Sequence, residues 1–177
     1  KYAGNDDSSE DNLSLKYRSV EQETKFRAEN LVRFGDFRVI TGVGLELPLY
    51  SNSTFQRIFL QNPVTVDYNS DLSFLKYAVF TNANYTSPDK RFTANLGIRF
   101  DGNSYSDKMA NLFRQFSPRL SLSYELLSDF YLNAGVGRYY QLPPYTALGY
   151  RDLQGDLVNK ELEYIGSDQI SAYPCIQ

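Results

Sequence analysis

The residues that could carry chemistry in this chain are charged and aromatic side chains, because the usual catalytic and metal-binding residues are nearly missing. Its 177 residues include no histidine, one cysteine and one methionine. A Ser-His-Asp triad, a Cys/His zinc site and a histidine general acid or base are therefore excluded. No combination of serine, aspartate and lysine lies in a G-x-S-x-G or S-x-x-K context that supports a nucleophile. We predict that the chain is not an enzyme and holds no cofactor or metal ion.

Charged residues on one side of the predicted strands are the first candidates for ligand contact. They could steer an anionic ligand or contact another domain inside a channel. The alternative, which we favour, is that they pair across neighbouring strands as hydrated wall residues, where opposite charges contribute ~0.2–1 kcal/mol. The candidate lumen-lining residues are Arg27, Arg38, Glu46, Arg99, Arg119 and Glu125.

A second group of candidates lies in the longest predicted loop, at about residues 145–169. Tyr145, Tyr150 and Arg151 combine aromatic contact area with directed hydrogen-bond donors, as ligand-binding loops do. These three residues are the candidate ligand-binding group. An ordinary ordered external loop is the alternative, and the simpler interpretation of the segment.

Alternation of apolar and polar residues indicates the elements that position these groups. In residues 91–101, Phe92, Leu96 and Phe100 fall on one side of an extended chain, while Arg99 and Asp101 fall on the other. A β-strand has a side-chain period of two, so each such segment has one apolar and one polar face. Strands are predicted at about residues 20–34, 37–49, 74–86, 91–101, 116–126 and 130–141.

Short and long connections alternate between these strands. Turns of two to four residues follow the first, third and fifth strands, and far longer segments follow the others. Short turns then lie at one rim and long loops at the other, as in outer-membrane barrels. Tyrosine and phenylalanine cluster towards the strand ends, which resembles the aromatic girdles of both membrane interfaces. The predicted fold class is all-β, an antiparallel up-and-down meander that is part of a transmembrane outer-membrane β-barrel.

The alternative fold is a soluble β-sandwich or lipocalin-like barrel that packs the apolar faces inward. Strands as long as those predicted are unusual in sandwiches, whose mode is about five or six residues. Glycines on the polar faces also suit a crowded interior better than a free surface. We therefore predict that the apolar faces contact lipid and that the chain lies in the bacterial outer membrane.

Net charge and composition limit which partners and which domain organisation the chain can have. The net charge of -3 provides no basic footprint, so no nucleic-acid partner is expected. We expect an extracellular loop or linker at 1–19, a partial transmembrane barrel at 20–170 and an irregular tail at 171–177, where Pro174 and Cys175 break the alternation. The start of the chain lacks signal-peptide features, so we expect a mature or internal fragment.

Three stretches carry a resemblance to a known family. The sequences FSPRLSLSYEL at residues 116–126 and FYLNAGVGRYYQLPPYTALGYRD at 130–152 closely resemble the β-barrel of TonB-dependent outer-membrane receptors of the Bacteroidetes type. RFTANLGIRFDGNSYS at 91–106 is similar to the strand and loop that precede these segments in that family. The resemblance runs through about residues 74–164.

The resemblance implies a barrel of about 22 strands that is filled by an N-terminal plug. It further implies energised import of a scarce ligand, such as siderophore-bound iron, cobalamin or a glycan. The implied partners are outer-membrane lipid, a plug domain, the remaining barrel strands and the TonB complex of the inner membrane. Since no plug, TonB box or closing strand is recognisable in the sequence, the resemblance implies a fragment of such a receptor.

Our leading hypothesis is therefore a section of a TonB-dependent outer-membrane receptor. A soluble β-rich ligand-binding module is the alternative from another class, and it would need no detergent to remain monomeric. A passive porin-type channel is a further alternative, which an upstream plug would rule out.

Overall fold

The computed structural model describes residues 2–3, 13–58, 64–152 and 154–176. Most of these residues lie in β-strands. Two single-turn helices, α1 (Asp107–Ala110) and α2 (Tyr145–Leu148), and a 3-10 turn (Leu112–Gln115) lie in the connections. The strands are β1 (Tyr2–Ala3), β2 (Leu15–Phe34), β3 (Phe37–Ile58), β4 (Val64–Ser73), β5 (Lys76–Thr86), β6 (Phe92–Asn103), β7 (Phe116–Leu127), β8 (Phe130–Gln141) and β9 (Ile165–Ile176).

The strands pair in the order in which the chain makes them, with one exception. The order is β1-β2-β3-β5-β6-β7-β8-β9, and β4 lies off this path and pairs with β3. Besides β2, strand β3 pairs with two further strands along its length: residues 37–46 pair with β5 and residues 49–58 pair with β4. The pairings between registered strands are antiparallel, which confirms the predicted all-β, up-and-down meander.

Tight turns close three of the hairpins. Gly35 has a φ of 55° between β2 and β3, a left-handed conformation that glycine adopts without a Cβ penalty. Asp129 has a φ of 65° between β7 and β8, and aspartate tolerates this region better than most residues. Between β5 and β6, the Ser87 hydroxyl and the Arg91 backbone N–H donate to Asp89 and hold the pKa of its carboxyl below the usual value.

The chain forms two compact units. The first unit comprises Lys1–Thr24, Leu47–Leu75 and Pro143–Leu162. The second unit comprises Lys25–Glu46, Lys76–Leu142 and Glu163–Gln177. Strands β2 and β3 contribute residues to both units.

The second unit is a sheet whose apolar face is uncovered. Leu96 is 48% exposed and Val136 is 50% exposed, although both lie in the middle of their strands. A soluble sandwich would cover such side chains with a second layer, and the described residues supply none. This apolar face includes Val43, Val79, Leu96, Leu120, Leu122, Leu132 and Val136.

The first unit has a small core around helix α2. Leu148 is fully buried, and Tyr145 is 8% exposed. The Tyr145 ring lies 6.1 Å from the Tyr50 ring and 5.9 Å from the Phe74 ring, between centroids. The loop that carries α2 is thereby held against β3 and the residues that follow β4.

Three stretches are more regular than the sequence suggested. Strand β2 begins at Leu15, inside the segment predicted as a loop or linker at 1–19. Strands β3 and β4 occupy much of residues 50–72, which were predicted as a connection. Strand β9 extends to Ile176, where an irregular tail was predicted. Pro174 lies within β9, opposite Leu132 of β8.

No helix in the described ranges is long and apolar enough to span a membrane.

Candidate functional site

The candidate site is the polar face of the second unit, on the side of the sheet opposite to the apolar face. Antiparallel register sets its residues side by side: Glu46 lies opposite Lys76, and Arg99 lies opposite Phe80. The same register places Arg119 between Gly97 and Gly137. The polar face includes Arg27, Arg38, Glu46, Lys76, Phe80, Asn82, Asn95, Arg99, Asp101, Arg119, Ser121, Glu125 and Tyr139.

Glu46 is the centre of a charge cluster that joins three strands. Its carboxylate lies 2.5 Å from Lys76 Nζ on β5 and 4.0 Å from Lys25 Nζ on β2. The side chains of Glu46 and Lys76 are 30% and 21% exposed, so water screens this pair less than a fully exposed one. Sequence reasoning predicted Glu46 as a lumen-lining residue, and it missed Lys76 as the partner.

Two other predicted residues, Arg27 and Arg99, pair along their own strands. Arg99 donates from Nε and Nη2 to Asp101 at 2.7–2.9 Å, and Arg27 Nε donates to Glu29 at 2.6 Å. Residues two apart on a strand share a face and lie about 7 Å apart, which an arginine side chain can span. These contacts therefore need no cross-strand partner, unlike the cross-strand pairing that we favoured from the sequence.

Arg27 and Arg99 also flank an aromatic ring. Their Cζ atoms lie 4.4 Å and 5.9 Å from the centroid of Phe80, which is 9% exposed. A guanidinium over an aromatic face contributes ~0.5–1 kcal/mol at exposed sites. The two guanidinium groups thus explain how the apolar side chain of Phe80 is accommodated on a charged face.

Arg119 has a different environment from Arg27 and Arg99. Its Cζ lies 4.4 Å from the centroid of the Tyr139 ring on β8. No carboxylate among the described residues pairs with it, whereas Glu46, Asp101 and Glu29 each neutralise another cation of the face.

The last two predicted lumen residues are isolated. Arg38 lies on β3 opposite Asn84, and Glu125 lies on β7 opposite Tyr131. The Glu125 backbone oxygen accepts a hydrogen bond from Arg91 Nη2 at 3.2 Å. Neither the Arg38 nor the Glu125 side chain forms an ion pair within the described part of the chain.

A pocket of about 210 Å³ opens next to the Glu46 cluster. Its lining includes Lys76, Asp101 and Tyr164, and Asn103 Nδ2 donates to the Tyr164 oxygen at 3.0 Å. Burial raises the pKa of the Tyr164 phenol, so the hydroxyl remains a neutral donor at physiological pH. Glu46 pairs with Lys76 and Asp101 pairs with Arg99, whereas Arg119, which also lines this pocket, has no such partner among the described residues.

The predicted loop residues Tyr145, Tyr150 and Arg151 all belong to the first unit. The Tyr145 hydroxyl donates to Glu23. Tyr150 is 43% exposed, with its ring edge-on to Tyr68 at 5.8 Å between centroids. Arg151 Nη1 donates to the Gly155 backbone oxygen at 2.8 Å. Tyr145 is therefore engaged in packing, and Tyr150 is the member of this group that offers a free surface.

Two rows of aromatic rings border the apolar face of the second unit. At the end with the short turns, Phe37 lies 5.5 Å from Phe34 and 4.9 Å from Tyr85, between ring centroids. At the end with the long loops, Phe100 lies 5.1 Å from Phe116 and 5.7 Å from Phe113.

The separation of the rows can be read along β6, whose residues Phe92 and Phe100 belong to opposite rows. They are eight positions apart (100 minus 92), which corresponds to about 26 Å at ~3.3 Å per residue. A strand tilt of about 40° reduces this to about 20 Å across the membrane, close to the ~25 Å apolar band of outer-membrane barrels.

The structure also contains contacts that the sequence did not predict. On β8 and β9, Arg138 forms a bidentate pair with Asp168 at 2.7 Å and 3.0 Å. The Arg138–Asp168 pair depends on the register of β8 with β9, a strand that the sequence did not define. The contact between Arg119 and Tyr139 depends on the register of β7 with β8, which the sequence does not specify either. No group of three or more metal-binding side chains is present within the described ranges.

A meander with a bare apolar face, two bordering aromatic rows and a charged opposite face has the organisation of an outer-membrane β-barrel wall. The comparison with family models makes this specific. A model described as "TonB dependent receptor-like, beta-barrel" matches residues 1–171, and the chain belongs to this family. The TonB-dependent receptor barrel inferred from the sequence is thereby confirmed.

A solved structure supports the same fold. The chain is similar to the structure titled "Copper transporter OprC", with a TM-score of 0.65 and 19% sequence identity. The match covers 94% of this chain and 29% of that chain, so the chain spans less than a third of that transporter. At this identity the likeness shows the fold alone. Comparison with curated proteins gives no match.

Proposed function

We propose that this chain is a section of the wall of an energy-coupled outer-membrane importer. The observation that carries the proposal is the uncovered apolar face between two aromatic rows, in a chain of the receptor-barrel family. On this proposal the apolar face contacts lipid and the polar face lines a water-filled bore. Arg27, Arg38, Glu46, Arg99, Arg119 and Glu125 then line the lumen.

The proposed partners follow from the family. Receptor barrels of this kind enclose a plug and receive energy from the TonB complex, and we propose both as partners of the complete protein. The ligand is a scarce compound such as siderophore-bound iron, cobalamin or a glycan. The S-P-R-L-S-L-S-Y run at 117–124 and the G-R-Y-Y-Q-L-P run at 137–143 support a receptor of the Bacteroidetes type.

We further propose that the loop that carries α2 contributes to ligand contact, through residues that follow the helix. Tyr150 is its best candidate, because its side chain is exposed while its ring edge is held by Tyr68. Arg151 lies beside it, and its hydrogen bond to Gly155 uses one of five guanidinium donors. The hydrogen bond from the Tyr145 hydroxyl to Glu23 of β2 holds this loop in place.

A single introduced tryptophan tests the orientation of the two faces. The chain contains no tryptophan, so Leu122→Trp and Ser121→Trp each create a unique fluorophore on adjacent residues of β7. In bilayers that contain brominated acyl chains, we expect strong quenching at position 122 and little at position 121. Iodide in the aqueous phase should show the opposite preference. Equal quenching of both variants by the brominated lipid would refute the proposed orientation.

A further inference from the structure

The polar face holds an open pocket of about 660 Å³ beside Arg119. This Arg119 pocket falls within the size range of small-molecule sites, about 300–1,000 Å³. Neutral amides and hydroxyls from β5, β6, β7 and β9 surround the arginine. These neutral polar lining residues are Asn82, Asn95, Ser121, Gln169 and Ser171.

Among the described residues, no carboxylate compensates the charge of Arg119 in this pocket. Asp168 borders the pocket, but the register places it opposite Arg138 on the face that carries Val136 and Ile170, and Arg138 binds both of its oxygens. Arg119 Cζ lies 4.4 Å from the centroid of the Tyr139 ring, and within the described part of the chain its guanidinium donors have no hydrogen-bond partner. A stacked guanidinium with free donors is suited to bind a carboxylate in a bidentate manner.

Two glycines allow the side chains around Arg119 to pack closely. A Cβ on Gly137 would lie 3.2 Å from Arg119 Cγ and 3.1 Å from the Tyr139 ring, so a side chain there would disturb the stack. A Cβ on Gly97 would lie 2.6 Å from Asn82 Oδ1, at the other side of the arginine. The register Gly97–Arg119–Gly137 therefore places Arg119 between two positions that have no side chain of their own, next to Asn82 and Tyr139.

We propose that the Arg119 pocket binds a small hydroxylated carboxylate, such as a sugar acid. The carboxylate pairs with Arg119, and the hydroxyls exchange hydrogen bonds with Asn82, Asn95 and Ser121. Each amide both donates and accepts, so the surrounding residues match the mixed hydrogen bonding of a polyol. This assignment rests on the proposed function, because the pocket must face a water-filled bore.

The test compares two probes that differ by one ionised group. We would titrate the full chain in detergent micelles with glucuronate and with glucose, and measure binding by calorimetry. Glucuronate should bind at least about tenfold more tightly than glucose, the ratio expected for one charge-assisted hydrogen-bonded pair. Acetate, which lacks the hydroxyls, should bind more weakly than glucuronate.

Variants identify the residue responsible. Arg119→Gln should weaken glucuronate binding about tenfold or more and leave glucose unchanged, while Arg119→Lys should have an intermediate effect because lysine lacks the planar fork. Arg33→Gln, which removes the same charge outside the pocket, should bind glucuronate as the parent does. Circular dichroism would check that each variant retains its strand content.

Several results would overturn the assignment. They are an absence of glucuronate binding, equal affinity for glucuronate and glucose, equal affinity for acetate, or an equal loss in Arg33→Gln. Thiol labelling of Thr93→Cys and Leu96→Cys in a Cys175→Ser background separates the possible causes. If only position 93 reacts with an aqueous reagent, the pocket assignment alone has failed; if both react equally, the proposed bore has failed as well.

Discussion

Replacing Gly42 with alanine should destabilise the second unit, whereas the same change at Gly44 should not. Both glycines lie on β3 and on the same face, two residues apart. A Cβ on Gly42 would lie 2.5 Å from Phe80 Cζ and 2.7 Å from the Ala28 backbone oxygen. A Cβ on Gly44 would meet only the Ala78 Cβ at 4.0 Å, an ordinary contact.

The size of the destabilisation depends on whether the atoms that a Cβ on Gly42 would contact can shift away. Phe80 cannot withdraw freely because Arg27 and Arg99 flank its ring, and the Ala28 carbonyl is fixed in β2. Overpacking of this kind costs ~1–3 kcal/mol. Both substitutions also reduce the entropy of the unfolded chain, which stabilises by ~0.4–1 kcal/mol. Because this second effect is common to both, the free energies of unfolding should differ by ~1–3 kcal/mol, with Gly44→Ala the more stable.

Urea unfolding in detergent micelles, followed by the circular dichroism of the strands, measures this difference. The midpoint for Gly42→Ala should fall below that of the parent, and the midpoint for Gly44→Ala should equal or exceed it. Equal midpoints for the two variants would show that the close approach of β2, β3 and β5 at Phe80 is not real.

Three further predictions concern single contacts. Tyr145→Phe keeps the ring but removes the hydroxyl that donates to Glu23. The loop at 143–162 should therefore lose ~1–3 kcal/mol of local stability and be cleaved faster in limited proteolysis. Unchanged cleavage would contradict this role of the hydroxyl. Glu46→Gln should lower the free energy of unfolding by ~1 kcal/mol through loss of the Lys76 pair, and less in high salt, while Glu125→Gln should have little effect. The phenol of Tyr164 should ionise above its usual range, seen as the absorbance difference from Tyr164→Phe. Since this pKa is raised in the folded state, stability is unaffected below about pH 10 and falls as the pH rises further; a normal titration would refute the burial of this group.

The regular strands could be predicted because their alternation is nearly uninterrupted. In β6, apolar and polar residues alternate from Phe92 to Asp101, and any one-residue shift would exchange the faces. The sequence therefore predicts both the strand and which side chains share a face. The short turns predicted after the first and fifth strands are likewise local, since they depend on Gly35 and Asp129, which tolerate a positive φ.

Strand β4 was missed although its alternation is visible once the partner is known. Tyr68 and Leu72 alternate with Asp67 and Asp71, but aspartate, asparagine and serine at every second position are also typical of a loop. Pairing with the distant end of β3 resolves the ambiguity, and a single sequence does not contain that pairing. The local propensity of the segment was thus overridden by its partner strand.

The sequence predicts which residues share the polar face of the sheet, but not the contacts that each of them makes there. Period two identifies Arg99 and Arg119 as neighbours on the polar side, but their different environments arise from other strands. Phe80 on β5 and Tyr139 on β8 determine which arginine stacks on which ring. These contacts follow from register, which the lengths of the turns and loops constrain and the composition does not.

The most direct test of the account is the aqueous accessibility of two neighbouring residues on β6. Asn95→Cys and Leu96→Cys, each in a Cys175→Ser background, would be reacted with a charged maleimide in intact bilayers. We predict that position 95 reacts readily, because it faces a water-filled bore, and that position 96 is protected by lipid. Equal reactivity at both positions, or protection at position 95 alone, would contradict the assignment of the two faces.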